Sequence, residues 1–210
     1  MSSDVELLLA WQRGERSAGK ELFERYYRVL VRFFANKVGE DSMDLIHETF
    51  LGCISGQARL RDSQSFRSYL FAIACNQLRK HYERQRRHGE RFDPSTQTSA
   101  DLSPGPGSIL VKHAEQRLVL AALRRIPVEH QIVLELFYWE GLTSAAIAET
   151  LDEPHGTIRT RLRRARQLLD QAMAEVAEDP RIHVATHSDL EGWVAKIRAT
   201  MMASDQAGGS

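Results

Sequence analysis

Residues 143–166 constrain the fold more tightly than any other stretch, because two short apolar-faced segments flank a proline. Ile147 and Leu151 repeat at i, i+4, and beyond Pro154 the residues Ile158, Leu162, Ala165 and Leu169 repeat at near-helical spacing. Proline disfavours helical geometry in the residue before it and cannot continue a preceding ladder of backbone hydrogen bonds, so Asp152, Glu153 and Pro154 interrupt the pattern. Two helices meeting across so sharp a turn can share one small core, and a helix-turn-helix is expected.

The outer face of its second helix carries the chemistry. Placing Ile158, Leu162 and Leu169 inward turns Arg159, Thr160, Arg163 and Arg164 outward, with Gly156 and Thr157 near the helix start. Residues 155–166 hold five arginines and no acidic residue. A merely solvated helix normally mixes charges of both signs at i, i+4, so the one-sided composition points to DNA. Guanidinium groups pair bidentately with guanine edges or phosphates, and threonine contacts either a base or the backbone. Arg161 and Arg166 fall on the flanks, where phosphate contact is expected.

The 210-residue chain is long enough for two small domains and a tail, and its formal net charge is zero. Zero net charge excludes a generic nucleic-acid coat, but the signs are segregated along the chain. Glu40, Asp41, Asp44 and Glu48 occupy a stretch without Lys or Arg, whereas Arg79, Lys80, Arg84, Arg86, Arg87 and Arg91 crowd a later one. Such a chain can offer one surface to a basic partner and two to DNA. Cys53 and Cys75 stand alone, without metal or redox spacing. A charged N-terminal segment without an apolar core argues against a signal peptide, and no apolar run is long enough to span a membrane. A cytoplasmic protein that does not engage membranes is expected, associated with the nucleoid when at work.

Almost every periodic stretch has helical spacing, which predicts an all-α fold of two small helical domains joined by a flexible linker, with a C-terminal amphipathic tail. The first domain, 1–88, has a short helix through Val5, Leu8 and Leu9, then a long one bearing Leu22, Tyr26, Leu30, Phe34 and Val38 that Gly39 ends. A third helix starts near Ser42 with Leu45, Ile46, Thr49, Phe50 and Cys53 inward. The fourth starts near Ser63 or Ser65, either of which can cap it. Residues 89–108, rich in Pro, Gly, Ser and Thr, form the linker. The second domain, 109–176, places a helix with Leu118, Leu120, Ala122 and Leu123 and one with Ile132, Val133, Leu136 and Phe137 ahead of the helix-turn-helix, with Pro127 and Gly141 as breaks. The tail, 177–210, carries a Leu190, Trp193, Val194, Ile197 and Met201 stripe that can pack on the second domain or regulate it.

In the fourth helix, Leu70, Ala74 and Leu78 mark the buried side. Asn76, Lys80, Arg84 and Arg87 lie opposite, with Tyr69 earlier in the stripe. An aromatic, an amide and several cations in line suit DNA with partly unstacked bases, since rings stack on bases while cations follow phosphates. Core aromatics on a helix kept soluble by arginines would give a similar pattern.

Three motifs taken in order resemble bacterial sigma factors of the extracytoplasmic-function class. They are residues 44–50 (Asp-Leu-Ile-His-Glu-Thr-Phe), residues 65–76 (Ser-Phe-Arg-Ser-Tyr-Leu-Phe-Ala-Ile-Ala-Cys-Asn) and residues 154–166 (Pro-His-Gly-Thr-Ile-Arg-Thr-Arg-Leu-Arg-Arg-Ala-Arg). The resemblance spans about residues 5–175 and implies a dissociable promoter-specificity subunit of bacterial core RNA polymerase. It implies that Asp44, Leu45, Glu48, Thr49 and Phe50 bind the clamp helices of the polymerase largest subunit. Phe66, Tyr69, Asn76 and Lys80, with Arg84 added by the stripe above, would open and read the minus-ten element of promoter DNA. Arg159, Thr160, Arg163 and Arg164, with Thr157 beside them, would read the minus-thirty-five element. The loop 59–64 would meet a base flipped from the opened strand. An anti-sigma factor is a further partner that the resemblance leaves open. His47 stands where the family commonly has glutamine, and Tyr69 where tryptophan is common.

Catalysis finds no support. After His47-Glu48 a zinc-protease helix needs a second histidine where Leu51 stands, and no phosphate-cradling loop or nucleophile elbow is present. His183 and His187 lack further ligands nearby, so no metal or cofactor is expected. The main alternative is a stand-alone helix-turn-helix repressor or activator, which would bind its operator alone as a dimer on a near-palindrome.

Overall fold

A computed structural model of the chain describes residues 2–38, 41–56, 65–87, 98 and 114–176. The expectations that rest on Gly39, on the loop 59–64, on most of the linker, on His183 and His187 and on the tail lie outside the described residues. All regular structure among the described residues is helical: α1 (Asp4–Gln12), α2 (Arg16–Val38), α3 (Ser42–Gly56), α4 (Phe66–Arg87), α5 (Ala114–Leu123), α6 (Val128–Leu134), α7 (Ser144–Leu151) and α8 (His155–Val176). A π-helical turn, Glu135–Trp139, continues α6. The only β-like feature among the described residues is an isolated bridge that sets linker residue Thr98 beside Pro127.

The helix starts follow from local chemistry. Ser3 and Glu6 form a reciprocal capping box on α1, in which Glu6 N donates to Ser3 Oγ at 3.2 Å and Ser3 N donates to Glu6 Oε2 at 2.7 Å. Of the two candidate caps of α4, Ser65 fills the role, its Oγ accepting from Ser68 N at 3.1 Å. In α1 the inward residues are Leu7, Leu8 and Trp11, while Val5 is exposed. The spacing of Val5, Leu8 and Leu9 predicts the helix but not its buried face, which contact with α2 and α4 selects. At that contact a Cβ on Gly19 would lie 2.6 Å from the Trp11 ring, so the close approach of α1 and α2 requires glycine.

In the first domain α1 packs on α2, α2 on α3 and α3 on α4 around Leu22, Tyr26, Leu30, Phe34, Phe71 and Leu78. In the second, α5, α6 and α7 all pack on α8. Burying the apolar faces of α7 and α8 around Ile147, Leu151, Ile158 and Leu162 is worth about 1.5–3 kcal/mol per side chain, which exceeds what local propensity gives so short a helix as α7. The two domains also touch. α7 lies against α4, and Lys37 Nζ on α2 reaches Glu135 Oε2 in the π-turn at 2.6 Å.

Candidate nucleic-acid interface

The turn between α7 and α8 is made as its sequence requires. Thr143 caps α7 through Ala146 N at 3.1 Å, and Asp152 ends it in the left-handed conformation with φ 54°. Asp is one of the few side chains that tolerates that region. The Pro154 carbonyl then accepts from Thr157 N at 2.9 Å and Ile158 N at 3.2 Å, so the proline opens α8 where its missing N–H is not needed. Ser144 Oγ lies 2.8 Å from His155 Nε2, linking the starts of both helices across the turn.

Thr157, Arg159, Thr160, Arg163 and Arg164 are all exposed and share one side of α8. Among the described residues no carboxylate pairs with Arg159, Arg163 or Arg164. Arg161 and Arg166, for which phosphate contact is expected, are instead engaged within the domain. Arg161 is drawn inward to Glu153 Oε1 at 2.8 Å and Glu129 Oε2 at 3.6 Å; burial lowers its pKa, but the two carboxylates together outweigh burial and leave it raised. Arg166 stacks over the Phe137 and Tyr138 rings at 5.3 and 5.4 Å. Three arginines thus face solvent while two fix the helix that carries them.

On α4, Asn76 and Lys80 are exposed as expected. Arg84 is exposed too, but its Nη2 lies 3.3 Å from Glu48 Oε2 on α3. Phe66 does not reach the surface. It is buried at the start of α4, with its ring 5.3 Å from Tyr26 and 6.4 Å from Trp11, so a direct base contact by Phe66 in this arrangement is corrected to a core role. Tyr69 is half-buried and donates its hydroxyl to Cys53 O at 3.5 Å. A Cβ on Gly56 would come within 2.2 Å of that hydroxyl oxygen, so the end of α3 is shaped to the phenol.

α3 divides into two faces. Leu45 is 2% exposed and Thr49 0%, with Thr49 Oγ1 donating to Leu45 O at 2.7 Å. Phe50 is half-buried on Phe23, 4.5 Å between ring centroids. Leu45 and Thr49 therefore lie in the core, as their periodicity indicated, while Phe50 packs there in part and keeps some exposed surface. Asp44 and His47 are exposed and Glu48 half-exposed. Beside them stand Met43, Leu51 and Ile54, exposed at 49, 54 and 48%, an apolar stripe the sequence reading missed. Its signal was present in the spacing of residues 43, 47, 51 and 54, which repeats at helical period on the side opposite Leu45 and Cys53.

Cys53 and Cys75 are buried, and burial pushes both thiols up to about 12, so neither is a thiolate at neutral pH. Among the described residues no group of His, Cys, Asp and Glu could hold a metal ion, and no helix is long and apolar enough to cross a membrane.

Comparison with known proteins finds two family matches, one within each helical group. Residues 22–88 match the Sigma-70 region 2 family and residues 116–169 match Sigma-70, region 4. The chain is 24% identical over 177 residues to the ECF RNA polymerase sigma-E factor of Haemophilus influenzae, covering 80% of this chain and 94% of that protein. Its fold resembles that of CnrH, solved in complex with the cytosolic domain of CnrY, with a TM-score of 0.61 at 17% identity over 84% of this chain and 100% of that one. It also resembles the sigma factor RpoE of Bartonella quintana, solved in complex with the anti-sigma factor NepR, with a TM-score of 0.55 at 18% identity over 74% of this chain and 94% of that one.

Proposed function

From a chain that belongs to the sigma-70 family, as a bacterial sigma factor of the extracytoplasmic-function class, we infer a division of labour among its exposed helix faces. The protein binds core RNA polymerase and directs promoter-specific initiation, and it is a regulatory subunit rather than a catalyst. α8 enters the major groove of the minus-thirty-five element with Thr157, Arg159, Thr160, Arg163 and Arg164. α4 reads the minus-ten element with Asn76, Lys80 and Arg84, and Tyr69 stacks at its edge. α3 meets the clamp helices of the polymerase largest subunit with Asp44, His47 and Glu48 and the apolar side chains Met43, Leu51 and Ile54. An anti-sigma factor is a further protein partner, supported by the complex solved for the Bartonella relative. The work takes place in the cytoplasm, where polymerase and DNA are.

The observation that carries this reading is the pair of fates among the α8 arginines. Two are spent on holding the helix, and three stand exposed on one side without a carboxylate. Unpaired guanidinium groups crowded on one face repel one another and are relieved by phosphate or guanine oxygen. Transcription in vitro tests it, with purified core polymerase and a library of promoters from the source genome, with and without the chain. Initiation from a defined subset that depends on the chain is expected. Silence on every promoter, together with tight operator binding by the chain alone, would replace this reading with a stand-alone regulator.

A further inference from the structure

The exposed stripe of α8 does not begin at Arg159. His155, one turn earlier, is exposed and stands at i, i+4, i+8 with Arg159 and Arg163, so an imidazole heads the row that two guanidinium groups continue. The ring is also tied down. Its Nε2 lies 2.8 Å from Ser144 Oγ at the first position of α7, a bond that crosses the turn between the two helices. Neither side chain is needed to start its own helix. Thr143 Oγ1 caps α7 by accepting from Ala146 N at 3.1 Å, and the Pro154 carbonyl accepts from Thr157 N and Ile158 N at the start of α8. Among the described residues no carboxylate pairs with His155; Glu153, two residues before it, is committed to Arg161 at 2.8 Å. Gly156 adds a second observation. Its φ is not positive, and a Cβ there would meet nothing within 4 Å. Nothing inside the chain therefore requires glycine at this position, although glycine weakens a helix. A residue without a side chain between His155 and Thr157 leaves room for an outside body to come close to the α8 backbone.

We propose that His155 reads a base edge of the minus-thirty-five element, a guanine through its N7 or O6, and that Ser144 is the positioning residue that aims the imidazole. The proposal rests on the promoter reading above, in which α8 lies in the major groove. In a helix-turn-helix the N-terminal residues of the second helix meet base edges while the first helix crosses the backbone. His155 is the first residue of α8 and Ser144 the first of α7, so the pair sits where those two kinds of contact adjoin. The polarity of the contact follows from the hydrogen-bonding capacity of the ring. A neutral imidazole has one donor nitrogen and one acceptor, and an imidazolium has two donors. When the Ser144 hydroxyl donates to Nε2, the ring proton is on Nδ1. When the ring is charged, Nε2–H donates to Ser144 Oγ and Nδ1 again carries a proton. DNA surrounds the ring with acceptors and negative charge, which favours both of these states over the tautomer with a bare Nδ1. Guanine offers that N–H two acceptors, whereas adenine sets the N6 donor beside N7 and cytosine presents only the N4 donor. The bond to Ser144 fixes the ring before DNA arrives, so less side-chain freedom is lost on binding.

The test is the base preference of holoenzyme assembled from the full-length chain and core polymerase. It is measured by competition binding over promoters in which each base pair of the upstream element is varied singly. The wild type should prefer guanine at one position that Arg164→Ala leaves untouched. His155→Ala should lower that preference about three- to tenfold, the worth of one hydrogen bond, and leave the other positions as they were. His155→Gln carries an amide that suits adenine N6 and N7, and should move the preference at that position from guanine to adenine. Ser144→Ala should weaken the same preference and Ser144→Thr, which keeps the hydroxyl, should restore it. In the His155→Ala background, Ser144→Ala should do nothing further. Thermal midpoints should stay at the wild-type value, because the bond between the two side chains is exposed; His155→Gln carries the test alone if His155→Ala does not fold. A uniform loss over all positions would make the contact one to phosphate, and an unchanged profile in both His155 variants would mean no contact; either overturns the proposal. Flattening at a position where the wild type prefers another base would overturn the guanine contact, and a Ser144→Ala loss that persists without His155 would overturn the positioning role. If wild-type holoenzyme selects no upstream element at all, the promoter reading fails instead.

Discussion

α3 and α8, the two helices to which we assign different partners, expose faces of opposite character. α8 offers charge, as Arg159, Arg163 and Arg164 stand exposed while Arg161 and Arg166 are turned inward to carboxylates and aromatic rings. α3 offers apolar surface, with Met43, Leu51 and Ile54 near half-exposed beside Asp44, His47 and Glu48. The first face suits a polyanion, where binding releases counterions and weakens steeply with salt. The second suits a protein groove, where binding scales with the area removed from water and responds little to salt. On the proposed assignment, the two affinities should be changeable separately.

The comparison can be broken most forcefully inside α3 itself. Leu45→Ala empties a fully packed site and should lower unfolding stability by about 2–5 kcal/mol, read from the denaturant midpoint. Leu51→Ala should leave that midpoint within about 0.5 kcal/mol while weakening binding to core polymerase by 1 kcal/mol or more. Equal destabilisation by the two variants would refute the assignment of faces.

On α8 the matching pair is Arg164→Ala against Arg161→Ala. Arg164→Ala should weaken promoter binding by about 1–3 kcal/mol with relaxed preference at one base position, and leave the thermal midpoint unchanged. Arg161→Ala strips Glu129 and Glu153 of their partner and should lower the midpoint, with binding loss spread evenly over all sequences. If a contact is to phosphate only, the slope of log affinity against log salt should fall by about 1 for each arginine removed from the outer face. Leu51→Ala should not move that slope.

A smaller effect is expected at His130. Desolvation, then Arg161 and Arg164, hold its pKa below the ordinary 6.5, while Glu129, 3.6 Å away, is also 3.6 Å from Arg161. A depressed histidine pKa means that the unfolded chain takes up the proton first. The stability of the second domain should be full above pH 6.5 and decline as pH falls below it through the folded-state pKa. Equilibrium unfolding at a series of pH values should show this, and His130→Gln should flatten the decline.

What could be read before the structure divides along the same line. The outward arginines of α8 were legible because leaving a guanidinium buried and unpaired is costly, so a helical wheel with one apolar side leaves them nowhere else to go. The break at Pro154 was legible for a local reason too. On α3 and α1 the wheel was ambiguous, since apolar residues lie on more than one side; Leu51 and Val5 look no different in sequence from Leu45 and Leu8 until neighbouring helices choose a face. Family likeness named Leu45, Thr49 and Phe66 as contacts, but a motif records which positions matter without separating side chains that touch a partner from those that hold the touching ones. Lys37 and the π-turn could not be anticipated, because the Lys37 ammonium meets Glu135 of the other domain and nothing local marks a lysine for burial.

The most direct measurement is a hydroxyl-radical footprint on one promoter mapped from the transcription library, taken with the chain alone and with holoenzyme. Holoenzyme should protect two elements about 25 base pairs apart, Arg164→Ala should lose only the upstream protection, and the chain alone should protect neither strongly. Strong protection of a single near-palindromic site by the chain without polymerase would contradict the account.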